Sequence, residues 1–191
     1  MAEVKVLVEG YAKNMKNGWL ASSTVTLVKS IDRRVVVDPG CNRGKLLGSL
    51  RKENLGTGDI DFVLVTHNHL DHCLLSGIFE NARILDYAYI YRGDEFEAHH
   101  NQIHGTDLRI LRTPGHASDH CSLIVRSQDG TYVVAGDLFW WMDGEEQNID
   151  IERKDPAHPA NMNEMIRSRR KALEIADYII PGHGKTLKVS R

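Results

Sequence analysis

Cysteine is scarce in this sequence. The 191 residues include three cysteines, Cys41, Cys73 and Cys121, and no two of them form a Cys-x-x-Cys pair. An odd number of widely spaced cysteines argues against a disulfide framework and against a zinc knuckle built from thiolates. We therefore expect a protein of the reducing cytoplasm, in which each cysteine serves as a small apolar side chain.

Long apolar runs and an excess of one charge are also missing. No apolar stretch reaches the roughly 20 residues that a membrane-spanning helix needs. The amino-terminal MAEVKVLVEG lacks the apolar core of a signal peptide. Lys and Arg number 24 against 26 for Asp and Glu, a net charge of −2. Near-neutrality gives no electrostatic footprint for nucleic acid or an anionic membrane. The expected partner is a small-molecule substrate, with nucleic acid not favoured and no membrane.

Short apolar segments that end at Gly, Pro or Asp dominate what is present. Their Val, Ile, Leu and Thr content is typical of β-strands. The segments are VKVLVEG, STVTLVKS, RRVVVDPG, DFVLVTH, ARILDYAYI, LRILRTPG, CSLIVRS and TYVVAGD. The sequence contains no repeat, linker or low-complexity tract, and its length suits one core. We predict a single α/β domain over residues 1–191. The oligomeric state is not determined, and a homodimer is only a hypothesis.

Two segments have helical spacing of their apolar residues. One begins near Leu70, and its apolar positions are Leu70, Cys73, Leu74, Gly77 and Ile78. The other follows Asn161 and Glu164, which resemble a capping box. Its apolar face comprises Met162, Met165, Ile166, Leu173 and Ala176, and its charged face comprises Arg167, Arg170 and Lys171. We interpret the charged face as solvated, with a phosphate-binding patch as the alternative.

Three histidines and one aspartate lie within six residues in VTHNHLDHC, directly after the apolar stretch 63–65. His67 and His69 are two residues apart, so on an extended chain they point the same way. Asp71 and His72 fall where the next helix begins. Neutral imidazole and carboxylate suit zinc, manganese and iron. Without a metal ion these groups would form a costly cluster of poorly paired polar side chains. The segment therefore predicts a metal site, against the alternative of a solvated polar loop.

Three more polar residues follow apolar strands in the same manner. His116 follows ILRTPG, Asp137 ends TYVVAGD, and His183 lies in IIPGHG. Taken singly, each fits an ordinary turn or loop residue. Together they repeat one pattern, in which an apolar strand delivers one polar side chain at its end. That pattern is typical of sites built at a sheet edge.

The ordered set His-x-His-x-Asp-His, His116, Asp137 and His183 resembles the metallo-β-lactamase-fold metal-dependent hydrolase superfamily. The resemblance extends from VVVDPG, which contains Asp38, to PGHG, which contains His183. It implies a four-layer αββα sandwich with the metal ions at one edge, between the sheets. A narrower likeness, carried by TYVVAGDLF and RSRRKALEIADYIIPGHG, is to the group called metallo-β-lactamase domain-containing protein 1.

The resemblance also implies a role for each site residue. It implies two zinc ions, with manganese or iron as alternatives. The metal ligands it implies are His67, His69 and His116 for one ion, Asp71, His72 and His183 for the other, and Asp137 between them. Asp38 would orient a ligand histidine, and His120 is a candidate for a similar supporting role. Asp71 would in addition be catalytic, by orienting the attacking water and carrying its proton.

The implied reaction is hydrolysis by a hydroxide shared between two ions about 3.5–4 Å apart. We expect a small ester, thioester or lactone as substrate. A metal-dependent phosphodiesterase or ribonuclease is the alternative, and a mononuclear-iron persulfide dioxygenase is the third hypothesis. Because the chain ends soon after His183, we expect neither the C-terminal helical domain of glyoxalase-II-type thioesterases nor the inserted domain of β-CASP nucleases.

The residues after Asp137 are aromatic, where quorum-quenching lactonases place a tyrosine nearby and class B β-lactamases a lysine. Trp140 and Trp141 are therefore candidates for the substrate pocket, as an apolar wall or a stacking surface. At alternating strand positions, one should face the pocket and the other the core. We expect His99, His100 and His104 in a surface loop, and His158 in a proline-flanked turn.

Overall fold

Apolar strands build two mixed sheets and a separate hairpin. The computed structural model describes residues 1–155 and 161–190, so the turn predicted at His158 lies outside the described residues. Within those ranges, and numbered along the chain, the first sheet has the order β1 (Glu3–Val8), β4 (Val25–Ser30), β5 (Arg33–Val37), β6 (Phe62–Leu64), β7 (Arg83–Leu85), β8 (Tyr89–Arg92) and β9 (Glu95–Ala98). The hairpin pairs β2 (Tyr11–Met15) with β3 (Gly18–Ser22).

The second sheet faces the first. Its order is β10 (Arg109–Arg112), β11 (Cys121–Ser127), β12 (Gly130–Trp140), β13 (Tyr178–His183) and β14 (Leu187–Lys188). β6 runs parallel to both β5 and β7, and β12 runs parallel to β13. The helices are α1 (Arg43–Lys52), the short α2 (Leu70–Cys73) and α3 (Met162–Ile175).

Three apolar layers lie between the helices and sheets, and the central strands contribute side chains to two of these layers. Val35 and Val37 of β5 pack between the two sheets, whereas Val36 packs toward α1. Val134 of β12 also packs between the sheets, whereas Val133 packs toward α3. Because alternate side chains point to opposite faces, strands covered on both faces are continuous apolar runs. The helix–sheet–sheet–helix order confirms the predicted four-layer αββα sandwich.

Each of the eight predicted strand segments contains a strand, and ARILDYAYI supplies both β7 and β8. β2, β3, β9 and the two-residue β14 were not predicted. All four residues of β9 are exposed, and β2 and β3 are exposed over most of their length. Strands without a buried face carry no alternating apolar pattern, so the sequence gives no period-2 signal for them.

The helix predictions have different outcomes. α3 begins after Asn161, whose side chain accepts a hydrogen bond from the Glu164 backbone N–H at 3.2 Å, so half of the predicted capping box is confirmed. The other half is not formed, because the Asn161 backbone N–H donates to the Gly115 carbonyl at 2.9 Å. The helix predicted from Leu70 to Ile78 is wrong in length: α2 covers four residues, and a 3₁₀ turn follows at Ser76–Ile78. α1 was not predicted, since two glycines in RGKLLGSLRK lower its helical propensity. No helix in the described part of the chain is long and apolar enough to cross a membrane.

Candidate metal centre

Both sheets contribute to one end of the sandwich. After β6 of the first sheet, the chain passes through His67 and His69 into α2, which carries Asp71 and His72. In the second sheet, His116 follows β10, Asp137 lies in β12, and His183 is the last residue of β13. Strand ends that meet at one edge thus bring together residues more than a hundred positions apart in sequence.

Four of the predicted ligands form a first group around the ring of His69. His69 Nδ1 lies 3.0 Å from His67 Nε2 and 3.1 Å from His116 Nε2. Asp137 Oδ2 lies 3.4 Å from His116 Nε2. One ligand atom from each of these four residues lies within 4.8 Å of the others. Tetrahedral zinc with nitrogen ligands at about 2.0–2.1 Å would separate neighbouring nitrogens by roughly 3.3 Å. The first group has that size.

The other three predicted ligands form a second group beside the first. One ligand atom each of Asp71, His72 and His183 lies within 4.8 Å of the others. His183 Nε2 is 3.3 Å from Asp71 Oδ2. Asp137 Oδ1 lies 3.1 Å from His72 Nε2 and 3.6 Å from His183 Nε2. The two oxygens of Asp137 therefore face different groups, which is the geometry of a shared ligand.

Asp38 holds two of the histidines in place. Its Oδ2 accepts from His72 Nδ1 at 2.7 Å and from the Thr66 hydroxyl at 2.7 Å. Because that hydroxyl donates to Asp38, it accepts from His67 Nδ1 at 3.1 Å. In both histidines Nδ1 is then the donor, so Nε2 presents its lone pair to the centre. Thr66 was not predicted, although it stands directly before His67.

Backbone and carboxylate oxygens orient two further histidines. His183 Nδ1 donates to the carbonyl oxygens of Tyr11 and Ser22 at 3.1 and 3.2 Å. His116 Nδ1 donates to Asp155 Oδ2 at 2.5 Å. Asp155 is buried and was not predicted, since it follows no apolar strand and lies 39 residues from His116. Both histidines thereby also present Nε2 to the two groups.

The donor set fits divalent cations. His72 Nε2 and Asp137 Oδ1 are both buried and lie 3.1 Å apart, yet neither makes a hydrogen bond of good geometry to the described residues. Buried polar atoms are rarely left without a hydrogen bond, so two such atoms facing each other fit the ligands of a cation. Next to them, Gly182 is required, because a Cβ atom at that position would collide with Asp137 Oδ1. Imidazole nitrogens and carboxylates suit zinc, and also manganese and iron.

Burial and neighbouring charges set the ionisation of the centre. Burial lowers the pKa of His67 well below its ordinary value, and the nearby His72 adds to this effect. Burial also disfavours charge on His72, but in the metal-free chain Asp137 and Asp38 outweigh burial and raise the His72 pKa well above its ordinary value, so a bound cation would displace the proton from Nε2. Burial would raise the pKa of Asp137, but His72 outweighs it and holds that pKa well below the usual range. Asp137 is therefore a carboxylate, as a metal ligand must be.

His120 packs behind the first group without making a hydrogen bond to a ligand. Its ring centroid lies 5.1 Å from that of His67, and its Nδ1 pairs with the Thr113 hydroxyl at 2.9 Å. Burial lowers the pKa of His120 to about 3, so the ring is neutral at physiological pH. The predicted supporting role is therefore one of packing in this structure.

An open cleft of about 840 Å³ lies over both ligand groups. Three exposed apolar side chains line it, namely Trp19, Leu70 and Leu74, which are 52%, 68% and 57% exposed. Leu70 and Leu74 belong to the apolar positions with helical spacing in the sequence, and they are exposed here because α2 ends at Cys73. Cys41 also lines the cleft, so it is not simply a filler of the interior.

The two predicted pocket tryptophans point in different directions. Trp140 lines the cleft, and its ring centroid lies 5.9 Å from that of His183. Trp141 packs instead in the apolar layer between the second sheet and α3, with its ring stacked 6.5 Å from that of Phe139. Trp141 is therefore a core residue and not part of the cleft wall. The cause is strand alternation, which sends neighbouring side chains to opposite faces.

The remaining histidines lie apart from the two groups. His99 is half-buried and Nε2 pairs with the Asp86 carbonyl at 2.9 Å, whereas His100 and His104 are exposed. Among the residues that the structure describes, they take part in no further cluster of potential metal ligands. β9 occupies the start of the stretch that was predicted to be a surface loop throughout.

Comparison with known proteins agrees with this geometry. The profile of the metallo-beta-lactamase superfamily matches residues 18–97. A dizinc quorum-quenching lactonase, AidC, shares the fold with a TM-score of 0.64 at 16% identity over 87% of this chain and 74% of that one. A metallo-beta-lactamase family protein from Thermus thermophilus shares it with a TM-score of 0.68 at 18% identity over 97% and 75% of the two chains.

Sequence similarity is higher to proteins named metallo-beta-lactamase domain-containing protein 1. The Xenopus laevis protein is 34% identical over 97% of this chain and 81% of its own length. The human protein is 33% identical over 82% of this chain, which spans 60% of the human protein. Similarity at this level across most of the chain, together with the fold, shows that the chain belongs to the metallo-beta-lactamase superfamily.

Proposed function

We propose that the protein is a dinuclear metal-dependent hydrolase of a small ester, thioester or lactone. The observation that carries the proposal is the pair of ligand groups joined through Asp137 beneath an apolar cleft. Zinc is the proposed metal because five of the seven ligands are histidines. When bound, two such ions supply a polarising charge for the acyl oxygen and lower the pKa of a water molecule beside them.

Asp71 is the proposed proton carrier. Its carboxylate lines the cleft and is the most exposed of the acidic ligands, with 26% of the side chain accessible against 7% for Asp137. Burial would raise the pKa of Asp71, but the contact with His183 outweighs it and lowers that pKa. Asp71 Oδ2 is therefore ionised at neutral pH. It can accept a proton from the attacking water and return it to the leaving group.

The cleft wall supports an acyl substrate over a phosphodiester. Trp19, Leu70, Leu74 and Trp140 supply apolar surface beside the ligand groups. Among the described residues that line this cleft, none is lysine or arginine. A polynucleotide is held mainly by cationic contacts to its phosphates. A fold-level analogy points the same way, since AidC was solved with an acylated homoserine as product.

A substrate panel tests the proposal. Zinc-loaded protein should hydrolyse at least one of a hexanoyl lactone, a hexanoyl thioester or a p-nitrophenyl ester. Its kcat/KM on that substrate should exceed its kcat/KM on bis(p-nitrophenyl)phosphate or RNA. Activity confined to the phosphodiesters would replace the proposal with the nuclease alternative. Persulfide oxidation by protein holding one iron would replace it with the dioxygenase.

Asp71→Ala and Cys73→Ala form a matched pair for this panel, because both residues lie on α2. Asp71→Ala should lower kcat by roughly a hundredfold or more, through loss of the proton carrier and of a ligand. Cys73→Ala should change kcat little, since Cys73 packs against the apolar layer beside α1 and burial raises its thiol pKa. Abolished activity in Cys73→Ala with both metal ions retained would instead indicate a covalent mechanism.

A further inference from the structure

A buried arginine lies behind the metal centre. Arg169 lies on the buried face of α3 and is 1% exposed, although arginine is rarely fully buried in proteins. Its Nε donates to the carbonyl of Leu138 at 2.8 Å, and its Nη1 donates to the carbonyls of Ile151 and Arg153 at 3.1 and 2.6 Å. Burial lowers the pKa of Arg169 to about 10, which leaves the guanidinium charged at neutral pH.

The carbonyls that Arg169 binds belong to two segments that carry site residues. Leu138 directly follows Asp137 in β12. Residues 151–153 belong to the stretch after β12 that also contains Asp155, the partner of His116 Nδ1. Because an unpaired buried charge is costly, the three hydrogen bonds strongly fix how these segments lie against α3.

The stretch 142–155 contains neither strand nor helix, so no ladder of backbone hydrogen bonds sets its course. Side chains hold it instead. Arg153 donates to the Trp140 carbonyl at 2.7 Å and to Glu145 Oε2 at 2.7 Å. Arg169 holds the same stretch through the carbonyls of Ile151 and Arg153. The Asp155 carboxylate at its end is fully buried against His116.

We propose that Arg169 and Asp155 are positioning residues for the metal ion of the first ligand group. Arg169 fixes residues 151–153, and this places Asp155 Oδ2 where it holds the His116 ring with Nε2 toward that group. In the second group, Asp38 and backbone carbonyls orient the histidines instead. The inference rests on the proposed metal site and adds that Asp155 supports only the ion of the first group, whereas Asp38 and Asp137 serve both groups.

Zinc affinity measured with a chromophoric chelator tests this inference without reference to turnover. Asp155→Asn should raise one of the two zinc dissociation constants by about 10- to 100-fold. The other dissociation constant should stay within about threefold of its wild-type value. Arg169→Met should raise the same dissociation constant. Arg169→Lys should raise it less, because lysine keeps a cation at this position. Arg170→Met is the matched control, because Arg170 is the exposed neighbour on α3, and both constants should stay unchanged.

Double variants assign the effect to a site. In a His183→Ala background, Asp155→Asn should still weaken the binding of the remaining zinc ion. In a His116→Ala background, it should have no effect on zinc affinity, since its partner is gone. An equal loss at both sites, or a loss that persists without His116, would overturn the inference and indicate general destabilisation.

The result for the wild-type protein separates this inference from the proposed function. If the wild-type protein binds two zinc ions and Asp155→Asn binds both with unchanged dissociation constants, the positioning role alone is overturned. Wild-type protein that binds no zinc would overturn the metal site together with it. Should Arg169→Met fail to fold, the Asp155→Asn and Arg169→Lys proteins still decide the question.

Discussion

At the scale of single residues, four of the five ligand histidines, His67, His72, His116 and His183, are oriented by a partner behind the ring. The ionised carboxylates of Asp38 and Asp155 and the backbone carbonyl of Tyr11 can accept hydrogen bonds but cannot donate them. The ring nitrogen that each of them contacts therefore carries the proton. The opposite nitrogen then has its lone pair available for a cation. A histidine in the right place with the wrong tautomer would not bind, and this makes the partners as important as the ligands.

The tryptophan pair should separate binding from stability. Trp140→Ala should raise KM for acyl substrates about tenfold, which corresponds to about 1.4 kcal/mol of lost contact, and should leave metal content unchanged. Trp141→Ala should leave KM near wild type but lower the free energy of unfolding by about 3 kcal/mol or more, since it empties a core position. Steady-state kinetics and urea unfolding measure the two effects. Wild-type KM in Trp140→Ala would remove that ring from the substrate site.

His120 should make the stability of the metal-free protein dependent on pH. Its pKa is about 3 in the folded chain and about 6.5 when unfolded, so between those values the unfolded chain holds one more proton. The stability contribution is complete above about pH 6.5 and is lost as pH falls through this window. Between pH 7.5 and pH 5, His120→Gln should lose about 2 kcal/mol less than wild type in urea unfolding of chelator-treated protein. Equal losses would show that the fold does not lower the His120 pKa.

At the scale of elements, the β4–β5 hairpin contains a strained residue. Ser30 pairs with Arg33, which leaves a two-residue loop, and Ile31 in that loop has a φ of +55° while 74% exposed. A β-branched residue is unfavourable at positive φ, whereas asparagine tolerates it. Ile31→Asn should therefore raise the free energy of unfolding by about 1 kcal/mol. Ile31→Val keeps the strain and should not stabilise the protein. Urea denaturation compares the two, and equal stability of both variants would contradict the account.

The elements also show what local sequence can predict. Strands such as β5 and β12 were predicted because both of their faces are buried, and apolar composition records this. The ligands were predicted because polar residues stand where those strands end. Asp155 and Arg169 escaped prediction because their roles arise from contacts across 39 and 31 residues, between segments with no shared local pattern. β9 escaped because its exposed side chains resemble those of a loop.

At the scale of the whole molecule, the metal centre exists only when the sandwich closes. His67, Asp71 and His72 come with the first sheet, and His116, Asp137 and His183 come with the second. Each ligand group includes residues from both sheets. Metal binding is therefore expected to stabilise the folded protein, because the unfolded chain has no assembled site. The homodimer, the single-domain organisation and the cytoplasmic location stay predictions.

Metal content tests the central claim most directly. Protein prepared without chelator and analysed for bound elements should contain close to two zinc ions per chain. His183→Ala should reduce this to about one, because it removes a ligand of the second group only. One equivalent of iron in the wild-type protein would favour the mononuclear dioxygenase. A reproducible value near zero after reconstitution with zinc would contradict the dinuclear centre itself.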